Sequence, residues 1–543
     1  MRPYPTTKKG IVMTTLGVAL GTMLLTLGLW ARSFSLIPEL FRLNKKCQAE
    51  GYYMAEFEFK MVGFGYLLDH GHYVKAISDL RAYHDKLEAR EGLVKPPRFA
   101  TKTEEMDFYL NLQDSVTGSF MDPSAPYCTW EGPTGNVLDH LDALAKETGR
   151  PLKLKYPLRF FERIDTPAEL RAYLDDIGHI GWIGAKLPES SFHFARDLVS
   201  YVKPDNTVER NGLYAFSPEW KRTLLEWFRD NQDPETGYWG PRLRGSGKLT
   251  KLDLHNTSSI LQAFIDSKGD DIDTTLRIGY RDRMFASTLK VMAYPAPDVS
   301  DLDEIHGWTL REGKGIMMLS RQLWKTATAE EKHAARAAFA KFLLHDHTRN
   351  WSAADGAFRF YPDAGPATLD GTGSAIGVMD DAGAFSGAKQ RRVWGPPSLT
   401  CANLGSTAAT ALTENDIKAL RDRKPNSVRI YRDEPDTNDF TQNVDGVFHF
   451  GHTAVPDLTE IASGMKAWAD TTSQSLGNWI SREEVRERLS KISTEPVRSW
   501  KEQIPLEYLD EILKAGGTVT LVGFDSFQVP IARMDFTLPD ATP

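Results

Sequence analysis

The sequence predicts a mainly α chain: an (α/α) toroid of about six helical hairpins, with one transmembrane helix before it and a small α+β region after it. Three observations lead there. Apolar residues keep helical spacing from Lys45 to about Thr410, an aromatic turn recurs at a fixed interval, and one uncharged apolar run lies near the amino terminus.

The helical reading is clearest in "SPEWKRTLLEWFRD", residues 217–230. Ser217 is placed to cap, Pro218 suits a first turn, and Trp220, Leu224, Trp227 and Phe228 fall on one face. "LHNTSSILQAFID" follows the same logic, with Leu254, Ser258, Leu261 and Ile265 in a row. Gly, Pro, Asp and Asn fill the breaks, so the unit reads as helix, aromatic turn, helix.

That unit repeats. "NQDPETGYWG" at 231–240 matches "NLQDSVTGSFMDP" at 111–123, with Gln232, Asp233, Thr236, Gly237 and Trp239 answering Gln113, Asp114, Thr117, Gly118 and Phe120. "NWSAADGAFRFYP" at 350–362 is a looser copy that keeps Gly356 and Phe358, and the three glycines are spaced 119 residues apart. Each turn precedes a Leu-Asp pair that reads as a helix start: Leu138-Asp139, Leu252-Asp253 and Leu369-Asp370. Two helical hairpins take on the order of 40–60 residues each, so three marks imply about six hairpins.

Residues 11–30, "IVMTTLGVALGTMLLTLGLW", carry no charge. Twenty helical residues span about 30 Å, the thickness of a bilayer's hydrocarbon core. An uncleaved anchor is the reading here, against a cleavable signal peptide with its shorter apolar region. Lys and Arg flank the run on both sides, so charge does not orient it, and the short tail makes an extracytoplasmic location for the bulk of the chain the expectation. The segments are therefore a tail at 1–10, an anchor at 11–30, the toroid at 45–424 and an appendage at 425–543. In the appendage "SVRIY", "GVFHF" and "GTVTLVGFDSFQVPIARMDFTL" read as strands, and "DLTEIASGMKAWAD" and "SREEVRERLSKI" as helices.

The 65 basic and 73 acidic residues give a net charge of −8, which argues against a general nucleic-acid binder. Cys47, Cys128 and Cys401 allow at most one disulfide and have no zinc-site spacing. No metal or cofactor motif is read. "HDHT" at 345–348 suits a helix end, the Asp380-Asp381 pair suits solvent, and "GSGKLT" at 245–250 lacks a preceding strand.

Phe228, Gln232, Gly237 and Trp239 have the aromatic-x3-Gln-x4-Gly-x-Trp spacing of the QW motif, and Tyr109, Gln113, Gly118 and Phe120 give a degenerate copy. In this the chain resembles squalene and oxidosqualene cyclases, which share an α/α toroid with protein prenyltransferases. The resemblance implies the scaffold and not the chemistry. The cyclases' Asp-x-Asp-Asp acid motif is absent, and Cys401 lacks the Asp two residues earlier that a prenyltransferase-like zinc site requires.

In such a toroid the inner helices point their first turns at one open end. Polar residues after the aromatic turns are then the candidates for catalysis: Asp253, His255, Asn256, His306 and Asp370, with Asp139, His140, Thr372 and Asn403 beside them. Trp239 and Trp308 are candidate sugar platforms, and Arg242 and Arg244, with Lys248 and Lys251, a basic substrate-binding loop. Helix capping competes for the Asp residues, and core packing for the Trp residues. The expected function is processing of an envelope or exported polysaccharide by hydrolysis or elimination. A non-catalytic scaffold or binding subunit of a membrane assembly is the alternative, and isoprenoid chemistry a third reading.

Overall fold

Alternation of helix and turn carries through most of the chain. The structure, a computed structural model, describes residues 35–537 except 187–188, 298–301, 344–346, 395–405, 408–412, 433–434, 436–439, 441–442, 451–457, 475–479, 493–497, 502–510, 512–513, 515 and 526–529. The expected anchor at 11–30 lies outside the described residues, as do His345, Cys401 and Asn403. Among the described residues, no helix is long and apolar enough to cross a membrane. The fold is mainly helical, with small sheets toward the carboxyl end, and it divides into two compact units.

The first unit comprises Met1–Asp230 and Gly240–Lys251. Helices α1 (Leu36–Ala49) and α2 (Phe57–Asp69) pack on α3 (Tyr73–Ala89) around Leu40, Phe57, Leu80 and Leu87. Helix α4 (Lys102–Asn111) lies against α5 (Glu131–Thr148). Helix α6 (Pro167–Gly178) starts in a complete capping box, Thr166 with Glu169, and has Pro in its first turn. It packs on α8 (Pro218–Asp230), while α5 packs on α7 (Phe192–Asp197), so alternate helices share a layer. A short parallel pair, β1 (His179–Ile180) with β2 (Arg242–Leu243), ties the 240–251 loop into this unit.

The second unit comprises Asn231–Trp239 and Leu252–Pro543, and shows the same alternation. Helix α9 (Leu254–Leu261) packs on α11 (Leu302–Met317), α11 on α13 (Leu369–Asp381), and α13 on α15 (Arg482–Ser490). Behind them α10 (Arg281–Met292) packs on α12 (Ala329–Lys341), and α14 (Leu458–Thr471) on α15. Leu369, Ile376, Met465, Val485 and Leu489 share one buried cluster, so α14 and α15 belong with the helical core.

Strands β6 (Ser406–Thr407), β7 (Ser427–Tyr431), β8 (Val444–His449), β9 (Arg498–Lys501), β10 (Thr518–Phe524) and β11 (Pro530–Thr537) form one sheet, in the order β6-β11-β10-β7-β8-β9. Its centre is antiparallel, its two edge strands are parallel, and the strands expected from the sequence are all in it.

The repeated turns have one geometry, and it explains the motif spacing. In the first unit, Gly118 has φ +73° and its N–H donates to the Asp114 carbonyl (3.0 Å). In the second unit, Gly237 has φ +74° and donates to the Asp233 carbonyl (2.8 Å). A Cβ at Gly118 would lie 1.7 Å from the Pro157 carbonyl oxygen, so both the backbone angle and the space require glycine. Gln113 Nε2 donates to the Gly118 carbonyl (2.7 Å) while its Oε1 accepts from Lys155 N–H (2.9 Å) and Tyr156 N–H (3.0 Å). Gln232 does the same with the Gly237 carbonyl (2.9 Å) and Gly279 N–H (3.0 Å). The glutamine thus closes its own turn and holds the segment that leads to the next helix.

The third copy keeps this turn, with Gly356 at φ +71° and its N–H donating to the Ser352 carbonyl (2.8 Å), and sets it in a small antiparallel meander, β3 (Trp351–Ser352), β4 (Ala357–Tyr361) and β5 (Ala364–Ala367), where alternating aromatics suit a strand. One expectation is corrected here. The Leu-Asp pairs are not equivalent helix starts: Leu138-Asp139 lies in the middle of α5, which begins at Glu131. The equivalent residues are Thr134, Thr257 and Thr372, whose hydroxyls accept from the N–H of Phe120, Trp239 and Phe358, each at 3.1 Å.

Candidate functional site

Aligning the repeats on these threonines brings forward the first turn of α5. Glu131 is its first residue, where a positive helix end favours an acid. Gly132 follows because the Phe59 ring occupies the place of a side chain: a Cβ there would be 2.1 Å from Phe59 Cε1. Glu131 is only 4% exposed. Its Oε1 accepts from the Tyr201 hydroxyl at 2.6 Å, and its Oε2 is buried with no hydrogen-bond partner among the described residues.

The surroundings favour the protonated form of that carboxyl. Burial first, and then the charge of Asp197, push its pKa up to about 8, against the opposing effect of the Tyr201 bond. Asp197 ends α7, the helix packed on α5, and pairs with Arg196 Nη2 at 3.1 Å. His193 lies on the same helix, with Nε2 at 2.7 Å from Arg196 Nη2 and 3.6 Å from Asp197 Oδ2. Its ring meets Phe59 edge-on at 6.5 Å. Arg196 Nε is buried with no hydrogen-bond partner among the described residues, as is Glu131 Oε2. Further along α5, Asp139 is solvent-exposed and accepts from Thr207 (2.7 Å), yet the surrounding protein still raises its pKa.

The residues singled out by sequence have these places. In the second unit, Asp253 caps α9: its Oδ1 accepts from Asn256 N–H (3.0 Å) and its Oδ2 from Asn256 Nδ2 (2.6 Å), both residues being buried. His255 is exposed and meets the Lys314 ammonium of α11. His306 stacks on Phe360 with ring centroids 3.4 Å apart, and its Nδ1 donates to the Phe360 carbonyl (2.9 Å). Eight residues separate His306 from Lys314, about 12 Å along the helix, so α11 does not bring His306 to the contact that Lys314 makes with His255.

Asp370 is buried and accepts from Ile480 N–H (2.9 Å). Trp239 is 1% exposed and stacks on Phe264 at 5.8 Å, while Trp308 is 5% exposed and donates to the Tyr294 carbonyl (3.3 Å). Both indoles are core. The structure therefore brings together Asp253 with Asn256, and His255 with Lys314.

Arg242 and Arg244 belong to the first unit. Arg242 donates to the Gly247 carbonyl (2.7 Å), and Arg244 to the carbonyls of Asp69 and His179 (2.8 Å each). Beside Arg244, His70 lies between the Tyr66 carbonyl (2.8 Å, Nδ1) and Asp176 Oδ1 (2.7 Å, Nε2), and the Tyr66 hydroxyl donates to Asp176 Oδ2 (2.7 Å). The Asp176 bond is the main reason the His70 pKa is raised. Of the acidic pair Asp380-Asp381, the buried Asp381 meets Arg321 and Asp380 meets Lys389. Burial outweighs Arg321 and pushes the Asp381 pKa up to about 6.

Sequence reasoning passed over Glu131, Tyr201, His193 and Asp197. The available signal was the Thr134 register: set on that threonine, and not on the Leu-Asp pairs, Glu131 is the acid that opens the helix after the first aromatic turn. Comparisons with protein-family models, with curated proteins and with solved structures gave no match to this chain.

Proposed function

We propose that the helical part of the chain is an (α/α) toroid, tethered to a membrane through residues 11–30 with its bulk extracytoplasmic, and that it cleaves an envelope or exported polysaccharide by hydrolysis. The observation that carries this reading is the placing of two carboxyl groups, Glu131 and Asp197, on the packed helices α5 and α7. Glycoside hydrolysis requires two such groups, one giving a proton and one taking it. The layering of alternate helices within each unit supports the ring. Elimination is less well supported, because Arg242 and Arg244 spend their guanidinium groups on backbone carbonyls.

In this proposal Asp253, Asn256 and Asp370 are framework that fixes helix starts, and His255 with Lys314 is the exposed polar pair of the second unit. The scaffold reading keeps one specific support. Asp253, Asn256 and Asp370 are buried and bonded, as a non-catalytic toroid would have them. The test is a screen of the full-length chain in detergent against acidic and neutral glycans, scored by new reducing ends. Cleavage of at least one glycan class is the expected result, and binding without cleavage would favour the scaffold.

A further inference from the structure

We propose that the first unit lies on the bilayer that holds residues 11–30, and that it meets the lipid with the corner between α2 and α3 and with the loop that carries Trp182. This rests on the membrane-tethered reading above and adds the face that touches the membrane. Val74 is 85% exposed and Trp182 69%, the two most exposed large apolar side chains among the described residues. They lie near one another. Gly184 N–H donates to Asp69 Oδ1 at 3.0 Å, and a Cβ at Gly181 would be 2.7 Å from the same oxygen, so both ends of the Trp182 loop rest on the last residue of α2. Ile183 packs on Leu67, Leu68 and Ala76, which sets Trp182 close to the turn that opens α3. In that turn Gly71, His72, Tyr73, Val74 and Lys75 are all exposed.

The direction of α1 turns this corner toward the apolar run. Contacts move up α1 and α3 together: Glu39 is within electrostatic reach of His84 and Arg42 of Glu88, Cys47 Sγ donates to the Leu87 carbonyl (3.8 Å), and Glu50 Oε2 accepts from Arg90 Nε (2.8 Å). The two helices therefore run the same way, and the chain enters α1 at Leu36 on the side where α3 begins. Residues 31–35 join the apolar run to α1, a reach of at most about 18 Å, so a bilayer holding that run stays close to this end of the unit. The side chains there suit it. Trp and Tyr, apolar in the ring and polar at the edge, favour the headgroup level of a membrane. The carboxylates of the corner are engaged, Asp69 by Gly184 and Asp79 by the Lys75 ammonium at 2.6 Å, and Lys186 is exposed beside the Trp182 loop. Outward Trp and Val on a pinned loop and a helix start are a liability in water, and lipid contact removes it.

The experiment puts a nitroxide label on the full-length chain in phosphatidylcholine vesicles, one site at a time, through Leu20→Cys, Val74→Cys, Trp182→Cys or Ala89→Cys. The background carries Cys401→Ser, and Cys47 and Cys128 are buried. Ala89 is the control, exposed at the far end of α3 and about 22 Å from Val74 along the helix. Collision rates with oxygen and with a water-soluble nickel complex, read by electron paramagnetic resonance, report depth. The expected result is a deep label at position 20, labels at 74 and 182 with less nickel and more oxygen access than the label at 89, and an aqueous label at 89. Rates at 74 or 182 equal to those at 89, beside a deep label at 20, overturn the lipid contact and leave the anchor standing. A label at 20 open to the nickel complex overturns the tethered reading and the contact with it. Shielding at 74 accompanied by spin–spin broadening that disappears on dilution with lipid overturns the contact in favour of a second copy of the chain.

Discussion

The Trp239 N–H donates to Thr257 Oγ1 across 3.1 Å, and the Thr257 hydroxyl donates back to the Trp239 carbonyl at 3.0 Å. This reciprocal pair joins the aromatic turn to the first turn of α9, and Phe358 with Thr372 repeats it (3.1 and 3.2 Å). Thr257 is fully buried, so Thr257→Val should remove both of these bonds and cost about 1–3 kcal/mol. Thr257→Ser keeps the hydroxyl and should cost less. Denaturant unfolding of the two variants checks the order.

Gly118 and Gly245 separate backbone conformation from space. Both have positive φ, +73° and +91°, but a Cβ meets the Pro157 carbonyl at the first and nothing within 4 Å at the second. Gly245→Ala should cost only about 1 kcal/mol, the left-handed penalty, whereas Gly118→Ala should exceed it clearly because the Pro157 backbone must move. Thermal unfolding of the pair is the measurement.

How much of this was legible in the sequence differs by feature. The turns were, because Gln113 and Gln232 act through local spacing, and local spacing is what a sequence displays. The central strands β7, β8, β10 and β11 were, through alternation. The helix registers were not: 14 residues separate Phe120 from Thr134 but 18 separate Trp239 from Thr257, so the turn alone does not say where the next helix starts, and the Leu-Asp pair misplaces it in the first copy. Nor was the Glu131 site, since Tyr201 lies 70 residues away and only packing of α5 on α7 brings the cluster together.

Glu131 should cost stability as pH rises. Its folded pKa is raised, so the unfolded chain ionises first, and the fold loses stability between about pH 4.5 and pH 8. By pH 7 the loss is on the order of 3 kcal/mol. Glu131→Gln should therefore unfold at higher denaturant than the wild type at pH 7 and show little difference at pH 4. An equal or lower midpoint at pH 7 would mean that the carboxyl is ionised in the fold.

The His70–Asp176 contact should act within a pH window. His70 has a raised folded pKa, so its contribution is present below the unfolded value of about 6.5 and lost as pH rises through the folded value. The Asp176 pKa is lowered: burial opposes the shift, but the bonds from His70 and Tyr66 prevail, so its contribution is lost as pH falls through the folded value. The pair is partly exposed, which keeps its worth to about 1 kcal/mol. Thermal unfolding of His70→Gln against wild type should differ most at mildly acidic pH and converge at high pH.

The hydrolytic claim is tested most directly by the fate of solvent oxygen. Full-length chain in detergent is incubated with its cleaved glycan in oxygen-18 water, and the product ends are read by mass spectrometry. Hydrolysis predicts one heavy oxygen at each new reducing end and saturated products throughout. Unsaturated ends without label would contradict it and place the chemistry in elimination.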